Sequence, residues 1–134
     1  MTPLALLEQR RVEAPKQDPP ALPHLAGGRD WALDLDLEIE LNGETISRGN
    51  ARTLYWTMPQ QLAHATSNGA PIRTGDLMAS GTISGPEPGS EGSMIELYRG
   101  ERFLADGDEL VLRGRAANGV ELGEVRGHVL PARN

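Results

Sequence analysis

Trp31-Ala-Leu-Asp-Leu-Asp-Leu-Glu-Ile-Glu-Leu41 is the stretch of sequence that decides the fold. Trp31, Leu33, Leu35, Leu37, Ile39 and Leu41 alternate with Ala32, Asp34, Asp36, Glu38 and Glu40. In an extended chain successive side chains point to opposite faces, so a period of two gathers the apolar set on one face. That pattern predicts a half-buried strand over residues 31–41. Asn42-Gly43 comes next, a pair that tolerates positive φ and suits a type I′ turn, with residues 44–48 as the returning strand.

Working outward, residues 77–84, 93–98, 109–115 and 120–129 read as further strands between Gly-rich turns. Gly107, between Asp106 and Asp108, marks one of those turns. A helix is expected over much of residues 50–67, ended by Asn68-Gly69. Pro59 interrupts it, because a proline in a helix interior clashes with the carbonyl four residues earlier at about 3 kcal/mol or more. A second start removes the conflict: Thr57 as N-cap and Gln60 three residues on form a capping-box pattern, with Pro59 in the first turn. A break near Met58 follows. At the other end, residues 3–9 suit a short helix with Thr2 as N-cap and Pro3 at the first helical position. Residues 13–28 carry Pro15, Pro19, Pro20 and Pro23, and so many fixed φ angles favour an extended connector. A connector of that length ahead of a domain leads us to expect more sequence before it. The fold class is therefore α+β and mainly β: a mixed β-sheet roll with one principal helix, divided as residues 1–30 (short helix and connector) and 31–134 (the folded part).

Composition narrows the function. The chain has 134 residues, enough for one domain, yet only 4% are aromatic, while Gly and Pro number 16 and 10. This is a loop-rich β protein with little bulky apolar side chain. A formal charge of −6 and dispersed arginines argue against nucleic acid, which calls for a basic patch. The absence of cysteine excludes disulfides, thiol catalysis and thiolate metal sites. The first ten residues lack the basic region of a signal peptide, and no apolar run reaches 18 residues, so no membrane segment and a cytoplasmic location are expected.

Candidate chemistry lies in two places. Asp34, Asp36, Glu38 and Glu40 share one strand face and are the right ligand type for a hard divalent cation. Their regular alternation fits the wet side of a half-buried strand better. His24, His64 and His128 stand apart, without a second ligand one helical turn away, so metal binding by them is not expected. The second place is Arg73-Thr-Gly-Asp-Leu-Met-Ala-Ser-Gly-Thr-Ile-Ser-Gly-Pro-Glu-Pro-Gly-Ser-Glu-Gly-Ser-Met-Ile-Glu-Leu97. Gly81 permits close backbone approach, and the Thr82 hydroxyl is suited to binding a carboxylate or oxyanion. On the expected strand 93–98, Met94, Glu96 and Tyr98 share a face, and apolar neighbours would raise the pKa of Glu96 unless a cation pairs with it. The alternative is a tight structural turn with Glu96 at a sheet rim.

That segment resembles the C-terminal signature of the fumarylacetoacetase (fumarylacetoacetate hydrolase) family. The resemblance includes Tyr55-Trp-Thr-Met, Gln60-Gln-Leu-Ala-His64 and Asn68-Gly69. It extends back to Pro15-Lys-Gln-Asp-Pro19 and Leu22-Pro-His-Leu25, and forward to Leu104-Ala-Asp-Gly-Asp-Glu-Leu110. It implies hydrolysis of a carbon–carbon bond in a small 1,3-diketo acid, yielding fumarate and acetoacetate in tyrosine and phenylalanine breakdown. It further implies a homodimer and a divalent cation, Mg²⁺ or Ca²⁺, acting as Lewis acid on the diketone. Water in such a site is activated by a histidine that a glutamate orients. The resemblance places that glutamate at Glu96 and a substrate-carboxylate contact at Thr82.

It also implies that the metal carboxylates, the catalytic histidine and the main basic substrate contacts lie ahead of Met1, so that this chain by itself holds no metal and is inactive. Residues 31–134 are then an incomplete part of the family's C-terminal domain. Pro59 inside a family helix, and a stretch from 98 to 103 shorter than usual, are departures from the pattern. Two other readings stand beside it: a non-catalytic remnant or truncated gene product, and a related acylpyruvate hydrolase or oxaloacetate decarboxylase.

Overall fold

The computed structural model describes residues 2–117 and 119–133. The chain opens with one helical turn, α1 (Leu4–Leu7), which tightens into a 3-10 turn at Glu8–Arg10. Pro3, not Thr2, is the N-cap, with an extended ψ of 139°. The strand β1 (Arg11–Val12) follows, then the proline-rich connector, which carries a 3-10 turn at Pro23–Leu25.

The decisive strand is present but divided. Trp31 closes a 3-10 turn at Arg29–Trp31, β2 (Ala32–Leu33) pairs with β1, and β3 (Leu35–Leu41) enters a second sheet. Asp34 is the point of exchange. Its N–H donates to the Arg10 carbonyl at 2.9 Å, while its carboxylate accepts from the Asn50 side chain at 2.8 Å. The alternation in burial holds only in part: Leu33, Leu35 and Leu41 are buried and Asp36 is exposed, but Ala32 is buried too, and Leu37, Glu38, Ile39 and Glu40 are all half-buried.

β4 (Glu44–Asn50) returns from the Asn42-Gly43 turn, whose two φ angles of 53° and 82° have the positive sign a type I′ turn requires. A 3-10 turn at Ala51–Thr53 precedes α2 (Met58–Thr66), the principal helix. Thr57 and Gln60 form the capping box there, and Pro59 sits harmlessly in the first turn. After α3 (Met94–Leu97), β5 (Glu109–Ala116) and β6 (Glu121–His128) complete a four-stranded sheet in the order β4-β3-β5-β6. The Asp106-Gly107-Asp108 turn leads into β5, with Gly107 at φ 90°. The class is α+β and mainly β. Every described strand pair is antiparallel, where a mixed sheet was expected.

Two expected strands do not form. Residues 77–84 run as irregular chain, and residues 93–98 contain α3. Gly81 adopts a φ of 75°, outside the β region, so the first segment cannot hold a regular pleat. In the second, the Ser93 side chain accepts from the Glu96 N–H, an N-cap that starts a helical turn. Met94, Glu96 and Tyr98 therefore do not line one strand face.

The loop over residues 83–92 covers the outer edge of β4: the Arg48 N–H donates to the Gly89 carbonyl at 2.8 Å, and Ser47 Oγ donates to the Glu91 carbonyl at 2.6 Å. β6 has no described strand on its other side. The core is small. Leu33, Leu35, Ala51 and Ala116 form its buried centre, with Leu37, Ile83 and Leu122 packed on it. The accessible surface is 9402 Å². A folded monomer of 14.4 kDa is expected to expose only ~6,800 Å². Large apolar side chains lie on that surface: Leu77 is 96% exposed, and Ile95, Phe103, Val125 and Leu130 are exposed as well.

Candidate functional site

The acidic row on β3 is a charge lattice. Arg113, facing it from β5, donates to Glu40 at 2.7 Å, to Glu124 at 2.9 Å and to Glu38 at 3.2 Å. Arg48 also donates to Glu38, while Asn50 donates to both Asp34 and Asp36. The hydrogen bond to Glu40 is the main reason the Arg113 guanidinium holds its proton more firmly than usual. Carboxylates spent on fixed cations and amides are poor candidates for a metal shell. Among the described residues no group of three or more His, Asp or Glu is disposed to hold an ion. The residues present therefore do not fit the Mg²⁺ or Ca²⁺ that the resemblance implies, and the solvent-face reading of the acidic row is the one the geometry supports.

A concave region of about 1040 Å³ lies over this lattice, lined in part by Arg48, Arg113, Arg115 and Glu87. Its acids and guanidinium groups largely neutralise one another: Arg115, for instance, pairs with Glu121 at 2.8 Å. Neither Thr82 nor Glu96 lines it or the smaller cavity beside α2. The histidines are dispersed as expected, His24 and His64 exposed and His128 3.1 Å from the Glu109 carboxylate.

Thr82 and Glu96 instead flank the closed loop over residues 83–92. The loop is fastened by the Gly85 N–H donating to the Ser90 carbonyl at 2.9 Å, and by the Ser90 N–H donating to Glu87 at 3.0 Å. Thr82 is exposed just before the loop. Glu96, on α3 just after it, is also exposed, and its Oε2 accepts from Ser84 Oγ at 2.8 Å and Ser93 Oγ at 2.7 Å. Thr82 and Glu96 are thus linked through two residues of backbone and the Ser84 hydroxyl, without a direct hydrogen bond among the described residues. The hydroxyls, Ser93 first and Ser84 second, lower the pKa of Glu96 below its ordinary value, outweighing the opposing effect of burial. This reverses the expected upward shift: Glu96 is not pinned between apolar neighbours on a strand but is an exposed, hydrogen-bonded carboxylate on a helical turn. The tight turn of the alternative reading is present in the closed loop at the β4 edge, while Glu96 itself sits on a helical turn and not on a strand.

The sequence carries a signal for half of this arrangement. Ser93-Met-Ile-Glu96 has the Ser-x-x-Glu spacing of a helix N-terminus. Nothing in the local pattern marks Ser84.

The model of the family described as fumarylacetoacetate hydrolase C-terminal matches residues 7–130. The chain belongs to that family. Among curated relatives, human fumarylacetoacetase is 40% identical over 153 residues, covering 98% of this chain and 36% of the relative. The Caenorhabditis elegans fumarylacetoacetase is 44% identical over 141 residues, covering 90% and 34%, and that of Arabidopsis thaliana is 41% identical over 150, covering 96% and 35%. The chain thus spans about a third of the length of the fumarylacetoacetases it matches. No described helix is long and apolar enough to cross a membrane.

Proposed function

We propose that this chain contributes one wall of the site of a fumarylacetoacetase-type hydrolase. The reaction is the addition of water across a carbon–carbon bond of fumarylacetoacetate, in tyrosine and phenylalanine catabolism. One fragment leaves as a carboxylate (fumarate) and the other takes a proton on carbon (acetoacetate). Glu96 orients the histidine that serves as general base, and the Thr82 hydroxyl binds a substrate carboxylate. The divalent cation, Mg²⁺ or Ca²⁺, and the histidine come from residues outside these 134, so the isolated chain is inactive. A cytoplasmic homodimer is part of the same reading, as is the division into a connector (residues 1–30) and part of a catalytic domain (residues 31–134).

The observation that carries the proposal is the state of Glu96. A carboxylate that orients an imidazole must remain ionised through the cycle and must not rotate away, since it fixes the tautomer and stabilises the imidazolium. Two hydroxyl donors on one oxygen favour both properties. The excess of exposed apolar surface supports a partner surface, whether another part of the enzyme or a second copy.

The test is a hybrid in which residues 7–130 replace the matching portion of human fumarylacetoacetase. A folded hybrid is expected to hydrolyse fumarylacetoacetate in the presence of Mg²⁺ or Ca²⁺, while the 134-residue chain alone shows no turnover. A folded hybrid that is inert, or that cleaves only acylpyruvates or decarboxylates oxaloacetate, contradicts the proposal. Metal-dependent turnover by the isolated chain contradicts the assignment of its missing groups to elsewhere.

A further inference from the structure

We infer that Ser84 and Ser93 are positioning residues that tether Glu96 Oε2 and so present Oε1 to a single incoming N–H donor of the imidazole class. The identity of that donor rests on the function proposed above; the tether itself does not.

A serine hydroxyl has one hydrogen to give and lone pairs to receive. Ser84 Oγ accepts from the Gly92 N–H at 3.0 Å, so its hydrogen is free for Glu96 Oε2 at 2.8 Å. Ser93 Oγ accepts from the Glu96 N–H at 3.4 Å as cap of α3, so its hydrogen too is free for the same oxygen at 2.7 Å. Both hydroxyls thus have their proton direction set by a backbone amide, and both deliver it to one atom. Glu96 Oε1 receives no hydrogen bond among the described residues.

The consequence is mechanical as well as electrostatic. The terminal torsion of a glutamate is broad and nearly two-fold, so a free carboxylate exchanges its oxygens readily. Two bonds to Oε2 from residues on opposite ends of the loop remove that freedom. They come from opposite ends because the loop closes on itself. A Cβ on Gly92 would lie 2.6 Å from the Ile83 carbonyl oxygen, so only glycine lets the returning chain pass close enough for its N–H to reach Ser84. Hydrogen bonds to an ionised acceptor are about twice as strong as neutral ones, which is why two suffice to fix an exposed side chain.

The test uses the whole 134-residue chain, with the Glu96 carboxyl carbon followed by ¹³C NMR and assigned through Glu96→Gln. The wild-type titration midpoint should lie below that of an ordinary glutamate. Ser84→Ala should raise it with α3 intact, Ser93→Ala should raise it too, and the double variant should raise it furthest. Ser93→Thr keeps both the cap and the hydroxyl and should retain the low midpoint. A purely structural serine would change helix signals but leave the carboxyl titration in place. A midpoint unmoved by Ser84→Ala, or moved equally by Ser93→Thr and Ser93→Ala, overturns the inference. In the human hybrid, Ser84→Ala should lower kcat more than it changes KM. If Glu96→Gln is silent there while the titration behaves as expected, the proposed function fails and the tether stands.

Discussion

Gln17 and Gln60 donate to one another across the molecule: Gln17 Nε2 to Gln60 Oε1 at 3.0 Å, and Gln60 Nε2 to Gln17 Oε1 at 3.1 Å. Both are buried, Gln60 at 1% exposure. Gln60 also donates to the Leu25 carbonyl and accepts from the Thr57 N–H, so one amide ties the proline-rich connector to the start of α2. Replacing it by an apolar residue strands several buried polar groups at roughly 1–3 kcal/mol each. Gln60→Leu is therefore expected to lower stability by about 3 kcal/mol in urea denaturation, and a loss under about 0.5 kcal/mol would show that the connector is held by other contacts.

Gly92 and Gly127 are expected to respond differently to a methyl group. At Gly92 an added Cβ meets the Ile83 backbone at 2.6, 2.8 and 2.9 Å, whereas at Gly127 it meets nothing within 4 Å. Backbone cannot swing aside as a side chain can, so Gly92→Ala should be destabilising by about 1–3 kcal/mol, the usual range for forced overpacking. Gly127→Ala should be close to neutral. Equal effects at the two sites, read from thermal melts, would mean that the close crossing of the loop is not maintained in solution.

Acid should weaken the fold. Glu96, Asp108 and Glu124 all have pKa values lowered in the folded chain. The causes are the seryl hydroxyls at Glu96, the Ala105 N–H and then the Asn42 amide at Asp108, and Arg126 and then Arg113 at Glu124. A depressed folded pKa means that the unfolded chain binds the proton first, so the stabilisation is complete above the unfolded pKa and is lost as pH falls through the folded one. The urea midpoint should thus fall as pH drops below about 4.5, where free carboxyl groups begin to protonate. Asp108→Asn should flatten that fall. A midpoint unchanged between pH 7 and pH 3 would contradict the assignment.

How far the sequence was legible follows from which residues carried local information. The strand over Leu35–Leu41, the Asn42-Gly43 turn and the Thr57/Gln60 cap are each decided by neighbours in sequence, and the structure contains all three. The division at Asp34 depends on Arg10 and Asn50, which no local period reveals. Residues 77–84 and 93–98 had strand-like composition, but positive φ at Gly81 and the Ser93 cap overrode it. At the candidate site, the residue pattern only permits a role for Thr82 and Glu96, and the family resemblance supplies that role. The hydroxyl of Ser84 was invisible because its role depends on a loop closing over several residues.

The most direct test of the account is the turnover of the human hybrid carrying Glu96→Gln, with folding verified by an unchanged thermal melt. Glutamine keeps the size of the side chain and loses its charge, so it removes the anion that orients the imidazole. The expected result is a fall in kcat for fumarylacetoacetate of about 10²–10⁴-fold, the contribution typical of general base catalysis, with KM little changed. A folded Glu96→Gln hybrid that turns over as fast as its parent would contradict it.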